Sequence, residues 1–316
     1  MMKIIELSYP HTLAEEHLPN TVCAIGFFDG VHQGHQQVIQ TAVMEAQKRE
    51  MESAVITFHP HPSVVLKQGQ QHVKYITPLR EKQEILQQLN VDRLYVITFN
   101  KKLSSLLPEE FIHHFIIGLN IKHVVAGFDF TYGHKGLGNM ENIDQFSKGF
   151  FTHTTIAKIK NNNEKISSTN IRRLLKSGNI SHVNTLLGRP FRTTGKVIKG
   201  DERGRTIGYP TANIEVNRDA FLPSPGVYAV QVSTGNNTYN GMANLGIRPT
   251  FETEQHELSL EVHLLDFADN LYGTELMVDW FSFIREEQKF QSVEDLINQI
   301  ELDELEVREY FKKQIR

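Results

Sequence analysis

The sequence predicts an α/β domain followed by a mainly-β domain: a parallel sheet with helices on both faces, then an antiparallel β-barrel with a terminal helix. Three observations carry this expectation. A chain of 316 residues makes two domains at about 150 residues each. In the first half, short apolar runs alternate with helical patterns, the rhythm of a parallel sheet. From Phe191 to Ile284, strand-like runs are instead separated by Gly, Pro, Asn and Asp, the rhythm of a barrel or sandwich.

The first-half strands are expected at Val22–Gly26, Ala54–Phe58, Leu94–Phe99 and Val124–Gly127, each brief and bounded by turn residues. Between the first two, Val38, Ile39, Ala42, Val43 and Ala46 recur at helical spacing. Thr77-Pro78 reads as N-cap and first residue of a second helix striped by Leu79, Ile85, Leu86 and Leu89. Pro108 opens a third, with Phe111, Ile112, Phe115 and Ile116 on one side. Gly178-Asn179 ends a helix, and the domain boundary is expected across Ser181–Arg189, dividing the chain into 1–183 and 184–316. Asn161-Asn162-Asn163-Glu164 reads as a polar loop. Strands follow at Thr193–Ile198, Val227–Val232, Leu258–Leu265 and Leu276–Phe283. Ser292 and Asp295 fit a capping box before Leu296, Ile297 and Ile300.

Composition narrows the function classes. With 33 Lys and Arg against 37 Asp and Glu, the net charge of −4 lacks the broad basic surface of a general nucleic-acid binder. One cysteine, Cys23, permits neither an intrachain disulfide nor a cysteine zinc cage. No apolar run approaches the roughly 18 residues that cross a bilayer. The N-terminal stretch does not read as a signal peptide. The expectation is a soluble cytoplasmic protein with small-molecule partners, neither nucleic acid nor membrane; the oligomeric state is not legible.

The sharpest motif is Gly26-Phe27-Phe28-Asp29-Gly30-Val31-His32-Gln33-Gly34-His35, between an expected strand and an expected helix. Glycines permit a tight turn, and a helix N-terminus offers N–H groups to an anion. His32 and His35 then stand where imidazoles donate to phosphate oxygens. On spacing, a surface turn with incidental histidines and a metal site lacking an evident third ligand remain alternatives. A second motif, Ser167-Ser168-Thr169-Asn170-Ile171-Arg172, sets hydroxyls and an arginine at a helix start, where a plain N-cap is the simpler reading. Two other phosphate signatures fail. No Gly-x-Gly-x-x-Gly follows the first strand, and Gly195 to Gly200 has Walker spacing but continues into Asp201 and Glu202.

Together the His-x-Gly-His turn and the Ser-Ser-Thr-x-x-Arg helix start resemble the nucleotidyltransferase superfamily, whose two motifs bracket the phosphates of ATP. Thr57-Phe58-His59-Pro60-His61-Pro62 and Gly127-Phe128-Asp129-Phe130-Thr131-Tyr132-Gly133 are similar to its flavin-adenylylating branch, although Phe27 stands where many relatives carry a polar residue. The glycine-dense run Gly195 to Asn213, ending in Pro210-Thr211-Ala212-Asn213, resembles the riboflavin kinase family. So do Gly226-Val227-Tyr228-Ala229, Asn244 to Phe251, Glu261 to Phe267 leading to Leu271-Tyr272-Gly273, and Arg285 to Phe290. By alternation Glu261 faces away from Leu260 and Val262, which by itself suggests only a solvent-facing glutamate.

The resemblance covers nearly the whole chain and implies a Rossmann-like nucleotidyltransferase domain joined to a riboflavin-kinase-type barrel. It implies ATP-dependent phosphorylation of riboflavin to FMN and adenylylation of FMN to FAD with release of pyrophosphate, using Mg2+. It further implies catalytic roles for Glu261, as general base, and for His32, His35 and Arg172. ATP and phosphate contacts are implied at Gly26, Asp29, Gly30, Gly34, Ser167, Ser168, Thr169, Gly200, Gly204, Gly208 and Asn213. Flavin contacts are implied at Asp129, Tyr228, Arg248 and Arg285, and metal ligation at Thr211 and Asn213. The rival readings are a chain retaining one activity only and a flavin-binding regulator.

Overall fold

The structure, a computed structural model, describes the chain except residues 14, 67–72, 159, 162–163, 201–202, 249–256 and 315–316. Nor does it describe the side chains of 15, 160–161, 164–165, 203, 248 and 257. The middle of the expected polar loop, Asn162 and Asn163, therefore lies outside the described residues, as do Asp201, Glu202, Pro249, Thr250 and Phe251 of the motifs. The chain divides into two compact units, Met1–Ser168 and Thr169–Arg316.

The first unit is built on six parallel strands: β1 (Lys3–Leu7), β2 (Thr21–Ile25), β3 (Glu52–His59), β4 (Arg93–Thr98), β5 (Ile121–Gly127) and β6 (Thr152–Ile156). Their order is β1-β4-β3-β2-β5-β6. The chain winds outward from β2 in one direction through β3 and β4, then crosses to the other side for β5, so the crevice at the carboxyl ends opens at β2. The middles of the central strands are mostly apolar and buried, as in a sheet covered by helices on both faces. Edge strands β1 and β6 escape the apolar-run signal because Lys-Ile-Ile-Glu-Leu and Thr-His-Thr-Thr-Ile are half polar.

Helix α1 (Gln33–Lys48) buries Val38, Ile39, Ala42 and Ala46 against this sheet, as its spacing predicts. Helix α2 (Leu79–Gln88) departs from the expected start. Pro78, one position later, is the capping residue, and the Thr77 N–H donates to the Asp29 Oδ1 at 3.1 Å. Helix α3 (Pro108–Ile112) does begin at its proline and runs on through a wider turn that buries Phe115 and Ile116. Helix α4 (Ser168–Lys176) starts at the last residue of the first unit and ends at Gly178, whose φ of 70° suits glycine. Helix α5 (Ile180–Leu187) follows, with Asn179 Oδ1 capping the His182 N–H.

The second unit is a closed antiparallel barrel of β7 (Phe191–Ile198), β8 (Ala212–Val216), β9 (Gly226–Thr234), β10 (Asn237–Arg248), β11 (Glu257–Leu264) and β12 (Glu275–Arg285). They run in the order β7-β8-β11-β10-β9-β12, and β12 pairs back onto β7. Inward residues alternate along β7, where Phe191, Thr193 and Val197 are buried while Arg192, Lys196 and Ile198 face out. Trp280 and Tyr228 fill the interior edge to face, and the Trp280 indole N–H donates to the Thr193 hydroxyl. Helix α5 belongs to this unit: Asn184 donates to the Trp280 carbonyl and accepts from the Phe191 N–H.

The terminal helix α6 (Val293–Gln314) starts where Ser292 Oγ accepts the Asp295 N–H, as its capping pattern predicts. It packs Val307 and Phe311 against Ala229, Met242 and Leu265 on the outside of the barrel. Arg285 at the end of β12 clasps Asp303 of this helix through Nε and Nη2 at 2.8 Å. Asp303 is 4% exposed, so removing it leaves a half-buried guanidinium unpaired. Asp303→Ala is expected to cost about 3 kcal/mol and loosen the helix. Urea unfolding of wild type and variant measures this; an unchanged midpoint would show that the apolar contacts alone hold the helix.

Candidate functional site

In the first unit the turn between β2 and α1 occupies the sheet crevice, flanked by the segments that follow β3 and β5. Its backbone is unusual: Phe28, Gly30 and Val31 have φ of 51°, 87° and 39°. Only the glycine adopts such a conformation cheaply. Neighbouring side chains hold it. The Thr57 hydroxyl donates to the Phe27 carbonyl at 2.9 Å, and Lys82 Nζ donates to the same oxygen at 2.8 Å. Asp29, 2% exposed, takes the Thr77 N–H on its carboxylate and the Ser168 hydroxyl on its carbonyl at 2.8 Å. The two expected phosphate motifs thus meet at the hydrogen bond from Ser168 to Asp29.

His32 caps α1. Its Nδ1 accepts the His35 N–H at 3.2 Å, which leaves the proton of a neutral His32 ring on Nε2. The two imidazoles stack with centroids 3.6 Å apart, and Phe28 meets His35 edge on. Gly34 lies against the His32 ring, and Gly26 against the Phe28 ring, where a methyl group would press on each. Ser167 is half-buried and Thr169 exposed at the start of α4; Arg172 follows Ser168 by one turn, on the same side-chain row. Asp129 is exposed in the turn after β5, close to Gly127. Phe27 turns its ring to His61, edge on at 4.3 Å, and to Lys82, whose Nζ lies 4.9 Å from the ring centre.

In the second unit Glu261 faces outward from the barrel, with Leu260 and Val262 inside, as alternation predicts. It is not simply solvent-facing. It pairs in register with Asn213 on β8 and Asn244 on β10, and the Thr211 hydroxyl donates to its Oε2 at 3.3 Å. The glycine-rich segment folds onto this face. A Cβ at Gly200 would collide with the Asn213 carboxamide, and one at Gly204 with the Tyr209 carbonyl. His263, on the same outer face, meets the Pro210 carbonyl through Nδ1 at 2.8 Å. Thr211, Asn213, Glu261, Gly200 and Gly204 therefore converge, while Gly208 lies at an open corner with φ of 88°.

The implied flavin residues of this unit are placed otherwise. Tyr228 is fully enclosed, and its hydroxyl is engaged by the Ser224 carbonyl and hydroxyl. Burial pushes its phenol above the usual range. The Arg285 guanidinium is engaged by Asp303. Arg248 ends β10 opposite Glu257, and its side chain is outside the described residues. Sequence reasoning missed Lys82, Thr57 and Thr77 as supports of the first turn. The signal for Lys82 was a charge on the apolar stripe of α2, three residues after Leu79 and four before Leu86.

Comparison with known proteins agrees with this two-part architecture. Residues 14–170 match the FAD synthetase family model and residues 187–311 the riboflavin kinase family model. A bifunctional riboflavin kinase/FMN adenylyltransferase of Listeria monocytogenes is 47% identical over 99% of both chains. The Bacillus subtilis protein of the same description is 44% identical over 98% of both. A solved structure from Streptococcus pneumoniae, described as a macrolide-efflux protein, superimposes with a TM-score of 0.88 at 32% identity, covering 97% of this chain and 99% of that one. Among the described residues no helix is long and apolar enough to cross a membrane. With full-length relatives at this identity and both family models in tandem, the chain belongs to the bifunctional riboflavin kinase/FMN adenylyltransferase family.

Proposed function

We propose that the second unit transfers the γ-phosphoryl of ATP to the ribityl 5′-hydroxyl of riboflavin, and that the first adenylylates the resulting FMN to FAD. The observation that carries the kinase assignment to residues is the outer-face cluster of Thr211, Asn213 and Glu261 beneath Gly200 and Gly204. Glu261 accepts the proton of the attacking hydroxyl. A carboxylate is a far weaker base than an alkoxide, so that proton moves late, as the bond to phosphorus forms. The glycines let backbone N–H groups close over phosphates without side chains between.

The hydroxyl of Thr211 and the carboxamide oxygen of Asn213 are hard oxygen donors that suit Mg2+. No group of three or more His, Cys, Asp and Glu among the described residues could hold a metal, which fits an ion that takes its remaining ligands from nucleotide phosphates. Thr211 and Asn213 would hold such an ion where its charge would offset that of the transferring phosphoryl group.

In the first unit the nucleophile is the FMN phosphate, already an anion, and it attacks the α-phosphorus of ATP. No protein base is required. The work is orientation and charge stabilisation by His32, His35, Ser168, Arg172 and the turn N–H groups. Buried Cys23, the single cysteine, supports a cytoplasmic working place with small-molecule substrates as partners.

Glu261→Gln keeps size and hydrogen bonding, so FMN formation should fall by about 10²–10⁴-fold while FAD formation from supplied FMN and the thermal midpoint stay near wild type. Chromatography of the flavins reads this, and undiminished riboflavin phosphorylation would return Glu261 to a solvent-facing residue. The double change His32→Ala, His35→Ala should lower FAD formation by at least about 10²-fold and accumulate FMN. The same assay decides: a double variant that still produces FAD at the wild-type rate removes both histidines from the site.

The activities should also separate physically, at the division between the compact units rather than at the expected 183/184 boundary, which cuts α5. A fragment beginning at Thr169 should make FMN and no FAD. Cutting back to residue 184 should retain the activity at a lower thermal midpoint, because it removes buried Ile180 and Val183 of α5. A folded fragment from Thr169 without kinase activity would overturn the independence of the two sites.

A further inference from the structure

Lys82 is 3% exposed, at a position of α2 where the stripe is otherwise apolar. Its Nζ donates to the Phe27 carbonyl at 2.8 Å and to the Thr57 hydroxyl at 3.2 Å, and lies 4.9 Å from the Phe27 ring centre. Burial of an ammonium is expensive, and desolvation brings the pKa of Lys82 down to about 8, against the opposing pull of Asp29. At pH 7, where lysine is protonated both folded and unfolded, that cost is fully present. Satisfaction of its partners does not explain the lysine, because Thr57 already donates to the Phe27 carbonyl. A costly cation is therefore held against the backbone of the one turn that bears the phosphate motif.

We propose that Lys82 is a positioning residue for adenylyl transfer, fixing the Phe27 peptide so that the turn presents its N–H groups to the nucleotide phosphates. In a planar trans peptide the carbonyl and the following N–H point in opposite directions. Holding the Phe27 oxygen toward α2 aims the Phe28 N–H away from α2, and Phe28 is the residue whose φ of 51° marks the start of the strained stretch. Without the ammonium this peptide is held only by the Thr57 hydroxyl, and a flip would turn a carbonyl oxygen toward an anion. The charge adds long-range attraction for phosphate in a site with little water. This inference rests on the reading of the β2–α1 turn as the phosphate site of the adenylyltransferase.

The test uses the full-length enzyme with Lys82→Met, which keeps the stem and removes the charge. Hydrogen bonds to a charged group are lost, so KM for ATP in FMN adenylylation should rise by about tenfold or more. Riboflavin phosphorylation in the same preparation should be unchanged, even if the loss of the cation beside buried Asp29 lowers the thermal midpoint. Lys82→Gln, which can hold the carbonyl by one neutral bond, should fall between Met and wild type; if Met fails to fold, Gln is read alone. Wild-type KM for ATP should also rise between pH 7 and 9 as Lys82 loses its proton, and the Met variant should lack that component. The charged and titratable groups around Lys82 are Asp29 and, across the Phe27 ring, His61 and Tyr75; all of them persist in the variant. An unchanged KM for ATP with a lowered thermal midpoint would overturn the proposal and make Lys82 a structural residue. His32→Ala is run in parallel: if it impairs adenylylation and Lys82→Met does not, only the role of Lys82 falls. If neither variant affects adenylylation, the phosphate-site reading of the turn falls with it.

Discussion

The first unit depends on holding a turn that would not hold itself. Left-handed backbone at a phenylalanine and a valine costs on the order of 1–3 kcal/mol each and persists only when the surroundings over-determine it. Here the surroundings are three separate parts of the chain. Strand β3 and helix α2 grip the Phe27 carbonyl, the start of α2 grips the Asp29 carboxylate, and Ser168 grips the Asp29 carbonyl. Asp29 thereby ties together segments distant in sequence. Its burial is tolerable because it has bonded partners and a cation in reach.

The second unit builds its candidate site by another route. Its scaffold is strand register, which sets Asn213, Glu261 and Asn244 side by side on the outer face of three neighbouring strands. Pleat alternation leaves the inner face of the same strands to Leu260, Val262 and Leu264. No strained turn is needed there, because missing side chains at Gly200 and Gly204 allow a loop to lie flat on the cluster. One site is thus a bent backbone braced from behind, the other a straight backbone with a lid. Their supports share no residue.

Much of this was legible in the sequence. Periodicity located the central strands β2 to β5, helices α1 and α3, and the barrel. Positions of glycine, histidine and hydroxyl residues located both candidate sites. What escaped had specific physical causes. Strands β1 and β6 are edge strands with polar faces, and β8 and β10 lie in stretches where glycine and polar residues interrupt the apolar pattern. The cap of α2 falls one residue later than Thr77-Pro78 suggested, and local rules, which see only neighbours, could not show that the Thr77 N–H donates to a carboxylate forty-eight residues away. Lys82 was invisible for the same reason, since helical spacing places it on the buried side but cannot say what polar group waits there. Nor could spacing foresee that the Tyr228 hydroxyl donates to the Ser224 carbonyl and that Arg285 ties Asp303 of the terminal helix to β12.

The pairing of β7 with β12 has a consequence for how this chain comes into being. The strand that seals the barrel is the last one made, and the helix that covers its outer wall follows later still. On the ribosome, chains emerge at about 5–20 residues per second and N-terminal domains fold as they appear. The parallel sheet therefore has every strand it needs while the barrel still waits for its closing partner. Nascent chains would gain a shaped adenylylation module first and a shaped kinase module second. The birth order of the two modules is the reverse of the order in which riboflavin meets them.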